Sequence, residues 1–325
     1  MGLAGEAEIA GETSRMETIY TVEWMKQVTR QARAEGHLVG LVPTMGALHQ
    51  GHLSLVRAAQ QQCKPVVVSI FVNPQQFGPN EDFSKYPRRL EADSALLEGL
   101  RVEYLFAPPP AEIYPDGFRT YVNVEGVSER LEGRSRPGHF RGVTTVVLKL
   151  FEIAQPHSAY FGRKDAQQAR IIRQMARDLN LDTEVMVCPI AREPDGLAMS
   201  SRNAYLKDDE RRAATVLYRA LDAARQEIAA GERDAVRLLA VMRKVLDAEP
   251  LATPDYVEIV DADTFEPVSR LRRSCLALLA VFLGSTRLLD NMLVDEVEGA
   301  GSSFHVSLCR SVVVVCCGRG SFCYT

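Results

Sequence analysis

No apolar run in this chain approaches the ~20 residues that a bilayer-spanning helix needs, so no membrane partner is expected. The first fifteen residues, Met1 to Arg15, are rich in Gly, Ala and Glu and lack the apolar core of a secretion signal. They read as a disordered extension, with Met16 as an alternative start. Neither sign of charge is in large excess: 38 Lys and Arg oppose 42 Asp and Glu, a net charge of -4. That balance argues against a broad nucleic-acid surface, and no nucleic-acid partner is expected. Paired C-x-x-C spacing with histidines is missing, which excludes a sequence-legible zinc site. Cys63, Cys188 and Cys275 are scattered, as reduced thiols in a cytoplasmic protein would be. The other four of the seven cysteines, Cys309, Cys316, Cys317 and Cys323, crowd into the last 17 residues. With Val312 to Val315 and a Gly/Ser-rich flank, residues 298–325 read as an atypical tail foreign to the body. Its removal is expected to leave activity intact.

What is present is ordinary globular sequence, with 46% hydrophobic and 25% charged residues over 325 positions. That length suits two domains. Between residues 16 and 189, strand-like and helix-like segments alternate. Strands are expected at 38–42, 66–72, 102–107, 159–161 and 184–188, and helices at 51–63, 88–100, 143–153 and 166–179. The β-branched run Val66 to Val72 suits a strand buried on both faces of a parallel sheet. The alternation predicts a doubly wound α/β domain, whose ligands sit beyond the carboxyl ends of the strands. Residues 190–297 change character: helices at 208–230 and 234–248, then strands at 256–260, 277–282 and 286–289. They are expected to form a smaller α+β domain. No internal repeat is evident.

Four polar motifs fall where predicted strands end. The first, Pro43-Thr-Met-Gly-Ala-Leu-His-Gln-Gly-His52, places His49 and His52 at a strand-to-helix turn. A helix N-terminus carries unpaired N–H groups and partial positive charge, both attractive to phosphate. Gly46 and Gly51 allow close approach, and the imidazoles can donate without a full charge. Helix capping is the plainer explanation of the two rings. The second, Phe71 to Phe77, offers Asn73 and Gln76 to hydroxyl and carboxylate groups; Tyr86 and Arg88 follow on the same loop. Asp93, on the next helix, reads first as a surface residue, with metal ligation as the alternative. The third, Arg134 to Gly142, sets Arg136 and His139 in a basic turn-rich segment before a helix, suited to an anion or simply to solvent. The fourth, Phe161 to Gln168, carries Gly162, Lys164, Asp165 and Gln168. Lys164 could neutralise phosphate charge, and Gln168 lies one helical turn later. Beyond them Met199-Ser-Ser-Arg-Asn203, at the domain boundary, offers two hydroxyls and a guanidinium from a loop that could close as a lid.

The H-x-G-H pattern resembles the HIGH signature of nucleotidylyltransferases and class I aminoacyl-tRNA synthetases. More specifically, PTMGALHQGH, FVNPQQF, YPR, RPGHFRGV, FGRKDAQQ, REPDGLAMSSRN and STRLLDN together resemble the pantothenate synthetase (pantoate–β-alanine ligase) family, from Ile19 to Asn291. The resemblance implies a Rossmann-type N-terminal domain, a homodimer, and Mg²⁺-assisted conversion of ATP, pantoate and β-alanine to pantothenate, AMP and pyrophosphate. It implies that His49 and His52 contact ATP phosphates, with Met45 lining the site and Gly51 and Gly162 beside the nucleotide. Gln76 and Gln168 would hold pantoate. Lys164, Ser200, Ser201 and Arg202 would bind the triphosphate, and Asp165 the ribose. Asn73, Tyr86, Arg136 and His139 are further pocket candidates. Ala166 stands where an aromatic is often found, a departure expected to change packing more than chemistry. Two other readings compete: adenylyl transfer onto a phosphate, and nucleotide binding without catalysis.

Overall fold

The computed structural model describes residues 15–79, 81–296 and 304–307. It divides into two units, Met1–Cys188 and Pro189–Thr325. The boundary falls where the sequence changes character. The expectations for residues 1–14, 298–303 and 308–325 lie outside the described residues.

The first unit runs β1 (Glu17–Ile19), α1 (Val22–Ala34), β2 (Gly40–Thr44), α2 (Gln50–Gln60), β3 (Val66–Ile70), α3 (Leu90–Gly99), β4 (Tyr104–Phe106), α4 (Pro110–Ile113), α5 (Glu132–Ser135), α6 (His139–Ala154), β5 (Ser158–Gly162), α7 (Ala166–Asp178) and β6 (Glu184–Cys188). Its six strands are all parallel, in the order β1-β4-β3-β2-β5-β6. Alternate residues face opposite layers. Leu41, Val67 and Phe161 pack with Met25 of α1, Val147 of α6 and Ile172 of α7. Val42, Val66, Val68 and Tyr160 pack with Leu53 and Val56 of α2 and Leu97 of α3. Burial on both faces is why β3 reads as a continuous apolar run. Edge strand β1 and helix α1 escaped the sequence reading. β1 is only three residues long, and one of its residues, Glu17, is exposed.

β2 has β3 on one side and β5 on the other, with Gly40 opposite both Val66 and Ser158. The winding direction therefore reverses between β2 and β5. A crevice opens beyond the carboxyl ends at such a switch point. The loops leaving β2 and β5 are those that carry His49 and Lys164.

The second unit comprises α8 (Asp208–Ala213), α9 (Val216–Ala229), α10 (Ala235–Asp247), β7 (Ala252–Asp261), β8 (Cys275–Leu283), β9 (Thr286–Glu296) and β10 (Phe304–Ser307). The strands form an antiparallel sheet in the order β10-β9-β8-β7. Leu217 and Leu221 of α9 and Leu238 and Met242 of α10 pack on Val257, Leu279, Val281 and Met292. The helix expected over 208–230 is two helices. Thr215 stands at the break, its hydroxyl donating to the Arg212 carbonyl. β9 runs seven residues past the expected end at 289, because Asp290 and Asn291 interrupt the apolar pattern yet are buried. Part of the tail read as foreign, Phe304–Ser307, pairs antiparallel with β9.

Candidate active site

The imidazole pair comes from the turn between β2 and α2. Gly46 has φ +83° and Ala47 φ +50°, both left-handed. That conformation costs a non-glycine residue roughly 1 kcal/mol, so something must hold Ala47 there. Thr44 Oγ1 donates to the Ser69 carbonyl and accepts from Gly46 N–H at 3.1 Å. The Asp93 carboxylate accepts from Ala47 N–H at 2.9 Å and from Leu48 N–H at 2.8 Å. Asp93 is 3% exposed. The expectation of a surface residue is therefore corrected: the carboxylate is buried and both its oxygens serve the turn.

His49 caps α2. Its Nδ1 accepts from Gly51 N–H at 3.1 Å, and its own N–H donates to His52 Nδ1 at 3.4 Å. Amides can only donate, so both Nδ1 atoms are bare and each neutral ring carries its proton on Nε2. The rings lie 4.1 Å apart. Burial, and then the Lys164 charge, lower the His49 pKa to about 4. Burial, His49 and Lys164 lower His52 to about 3, with Asp165 opposing in both cases. Both imidazoles are neutral Nε2–H donors at pH 7. The helix-terminus expectation changes accordingly. The N–H groups of residues 46, 47, 48, 49 and 51 are already used within the turn, so donors to an anion come from the rings rather than from these amides. Capping, posed as the alternative to anion binding, uses only the two Nδ1 atoms and leaves each Nε2–H as a donor.

The β5 loop supplies Lys164, whose Nζ lies 3.4 Å from Asp165 Oδ1. Its charge acts on both histidines, lowering the pKa of each. Gly162 has open space above its Cα, as a residue bordering a crevice requires. Gln168, in the first turn of α7, is half-buried and makes no side-chain hydrogen bond among the described residues. The neighbouring Gln167 is structural: it donates to the Val127 and Arg130 carbonyls at 2.7 and 2.8 Å and accepts from Glu132 N–H.

The loop after β3 turns through a short 3₁₀ segment, Pro74–Gln76. Asn73 is fully employed there. Its Nδ2 donates to Gln76 Oε1 at 3.0 Å and to the Gly142 carbonyl at 3.1 Å; its Oδ1 accepts from Gln75 N–H and Tyr114 Oη–H. With Oε1 held, Gln76 directs its Nε2 toward Met45 Sδ at 3.2 Å. Gln76 and Met45 thus meet, whereas Asn73 orients the Gln76 amide from behind. Tyr86 is buried edge-on to Phe77.

Arg136 and His139 brace the same turn. Arg136 grips Glu81 through Nε at 2.8 Å and Nη2 at 2.6 Å. Burial would raise the Glu81 carboxyl, but these bonds and the Arg136 charge outweigh it and hold it below its usual range. His139 Nδ1 lies 2.8 Å from the Gln76 carbonyl and must be the donor; its Nε2 then accepts from Arg136 Nη1 at 3.1 Å. Burial, reinforced by Arg136, lowers the His139 pKa to about 4. The anion expected at Arg136 is the protein's own Glu81. A cavity of about 120 Å³ lies alongside, lined by Gln75, Gln76, Tyr121, His139 and Arg141.

In the second unit, Ser200 Oγ accepts from Arg202 N–H at 3.3 Å and caps a 3₁₀ turn, Ser201–Tyr205. Sequence reasoning assigned no role to Arg192 or Asp290. They form a buried bidentate pair at 2.6 and 2.9 Å, with Arg192 over the Tyr218 ring. Both sit inside conspicuous motifs, REPDG and LLDN, which was the available signal.

Residues 17–293 match the family model described as pantoate-beta-alanine ligase. The chain belongs to the pantoate–β-alanine ligase family. It is 60% identical over 267 residues to a pantothenate synthetase of Roseiflexus castenholzii, covering 82% of this chain and 96% of the relative. It is 53% identical over 280 residues to that of Acetivibrio thermocellus, covering 86% and 100%. Among solved structures, pantothenate synthetase from Thermus thermophilus matches with a TM-score of 0.82 and 46% identity, over 85% of this chain and 98% of that one. The Francisella tularensis ligase, complexed with beta-gamma ATP and beta-alanine, matches with a TM-score of 0.69 and 35% identity, over 85% and 97%. The pantoate–β-alanine ligase match begins at β1 and ends within β9.

Proposed function

We infer that this chain catalyses the ATP-dependent condensation of pantoate with β-alanine to pantothenate through pantoyl adenylate, releasing AMP and pyrophosphate. The observation that carries the mechanism is the imidazole pair at the switch point of the sheet: two neutral rings whose Nδ1 atoms are occupied by backbone N–H groups and whose Nε2–H groups are available, with the Lys164 charge acting on both.

In the first step a pantoate carboxylate oxygen attacks the α-phosphorus of ATP. The bond to the bridging oxygen breaks and pyrophosphate leaves. His49, His52 and Lys164 donate to the phosphate oxygens on which charge builds. In the second step the β-alanine amine attacks the acyl carbon, AMP leaves, and the amine proton is released. No side-chain nucleophile is needed; alignment of the reactants supplies much of the rate. Gln76, with its directed amide, and Gln168 are proposed to hold pantoate against Met45, and Asp165 the ribose. Gly51 and Gly162 are proposed to flank the nucleotide. Ser200, Ser201 and Arg202 are proposed as triphosphate ligands on the strength of their motif, and a homodimer on the family resemblance.

Mg²⁺ is read as part of the substrate. Among the described residues no group of three or more His, Cys, Asp or Glu side chains could hold a metal ion, and Asp93 is committed to amides. Mg²⁺ commonly enters such sites on nucleotide phosphates with few protein ligands. No described helix is long and apolar enough to cross a membrane.

Product analysis tests the reaction. The chain is incubated with ATP, pantoate and β-alanine, each omitted in turn. Pyrophosphate formed without the amine, and AMP released only with it, are expected. AMP release independent of β-alanine refutes the ligase reading and favours transfer to another acceptor.

A further inference from the structure

The Asp93 carboxylate is buried against the turn that carries the His49–His52 pair, and a buried polar group is tolerated only where it has hydrogen-bond partners. Its two oxygens account for the N–H groups of Ala47 and Leu48, 46 and 45 residues away in sequence. Ala47 is the residue held left-handed, and Leu48 immediately precedes the His49 cap. A Cβ on Gly46 would stand 3.0 Å from Asp93 Oδ2, so the carboxylate is packed against the turn as well as bonded to it.

We propose that Asp93 is a positioning residue: its carboxylate clamps the Gly46–Leu48 turn in its left-handed form and thereby sets the His49–His52 pair with both Nε2–H groups available to the nucleotide. The kinetic part of this inference rests on the reaction proposed above; the structural part does not. Without the clamp, Ala47 relaxes toward negative φ and the His49 backbone rotates out of the cap. Nδ1 of each ring then loses its amide partner, and the proton redistributes between the ring nitrogens.

The test uses the full chain and the variants Asp93→Asn, Gly46→Ala and Asp93→Asn/Ala47→Gly. Asparagine keeps the shape but turns a donor toward an amide. Gly46→Ala disturbs the same turn through its φ of +83° as well as by crowding the carboxylate, so it shows what a displaced turn does to the rings, and Asp93→Asn/Ala47→Gly decides the matter if Asp93→Asn does not fold. Imidazole ¹⁵N spectra of the wild type are expected to show the Nε2–H form for both rings, and those of Asp93→Asn and Gly46→Ala a mixture of forms. Turnover should fall about 100-fold, as for a reacting group displaced by about 1 Å, with the half-saturating Mg²⁺ concentration unchanged. Ala47→Gly should restore about fivefold of the loss by removing the left-handed penalty. An unaltered imidazole spectrum with turnover within threefold of wild type overturns the proposal. So does a raised Mg²⁺ requirement with the spectrum intact, which would make Asp93 a metal ligand. A wild type that makes no pantothenate refutes the reaction instead, and the spectra still decide the clamp.

Discussion

Gly142→Ala sets two opposing effects against each other. Gly142 lies in the first turns of α6, where alanine ordinarily stabilises by roughly 0.5–1 kcal/mol over glycine. Here, however, a Cβ would lie 2.7 Å from Gln76 Cα, and nearer still to the Gln75 carbonyl group. Ordinary carbon contacts begin near 3.5 Å, so α6 or the Asn73–Gln76 turn must move by about 1 Å. Both neighbours are backbone, and neither can swing aside as a side chain would. Overpacking of this kind costs about 1–3 kcal/mol, which exceeds the propensity gain. The part that yields is the short turn, because α6 is locked by the buried residues Val143, Val147 and Leu150. The Asn73 bond to the Gly142 carbonyl is lost with it, and the Gln76 amide is no longer aimed at Met45. A 1 Å misplacement of a substrate-positioning group costs about 100-fold in rate. We expect turnover reduced by that order and a Tm lowered by a few degrees, measured by coupled pyrophosphate release and thermal unfolding. A Gly142→Ala protein with a raised Tm and turnover within twofold of wild type would refute the reasoning, since propensity would then have won.

Single replacements His49→Ala, His52→Ala and Lys164→Ala should each lower turnover about 10²–10³-fold, the usual cost of one transition-state donor, with near-UV circular dichroism unchanged. Normal turnover in all three would remove the site assignment. Stability should fall with acid below pH 6.5. His49, His52 and His139 have folded pKa values of about 4, 3 and 4 against 6.5 unfolded, so the unfolded chain binds protons first as pH drops. Each ring then contributes a slope of at most about 1.4 kcal/mol per pH unit. Urea titrations at pH 7, 5.5 and 4.5 should show midpoints descending in that order; equal midpoints count against burial of neutral rings. Arg192→Met strands the buried Asp290 carboxylate and should cost about 3–5 kcal/mol. A loss below 1 kcal/mol by chemical denaturation would show that the pair is not holding β9 to the Arg192 segment.

Much of the architecture was legible in the chain. A strand buried on both faces has no polar face to alternate with, so Val66–Val72 announced β3 and the parallel sheet. The helix–strand alternation and the histidines at a strand-to-helix turn followed from periodicity and turn residues alone. Elements whose signal is not local were missed. β1 is too short to show a period, and β9 appeared to stop at Asp290 because its Arg192 partner is 98 residues away.

The site divides along the same line. Residue types and their strand-end positions belong to local sequence, because backbone geometry over a few residues dictates which side chains reach the carboxyl edge. Which nitrogen of His49 bears the proton is set by the Gly51 N–H two residues on, but why Asp93 is buried and why Arg136 faces Glu81 rather than a ligand depend on partners 45 or more residues distant. Such pairings exist only after the sheet has brought β2, β3 and β5 side by side, since a hydrogen bond reports separation in space and the chain records only order.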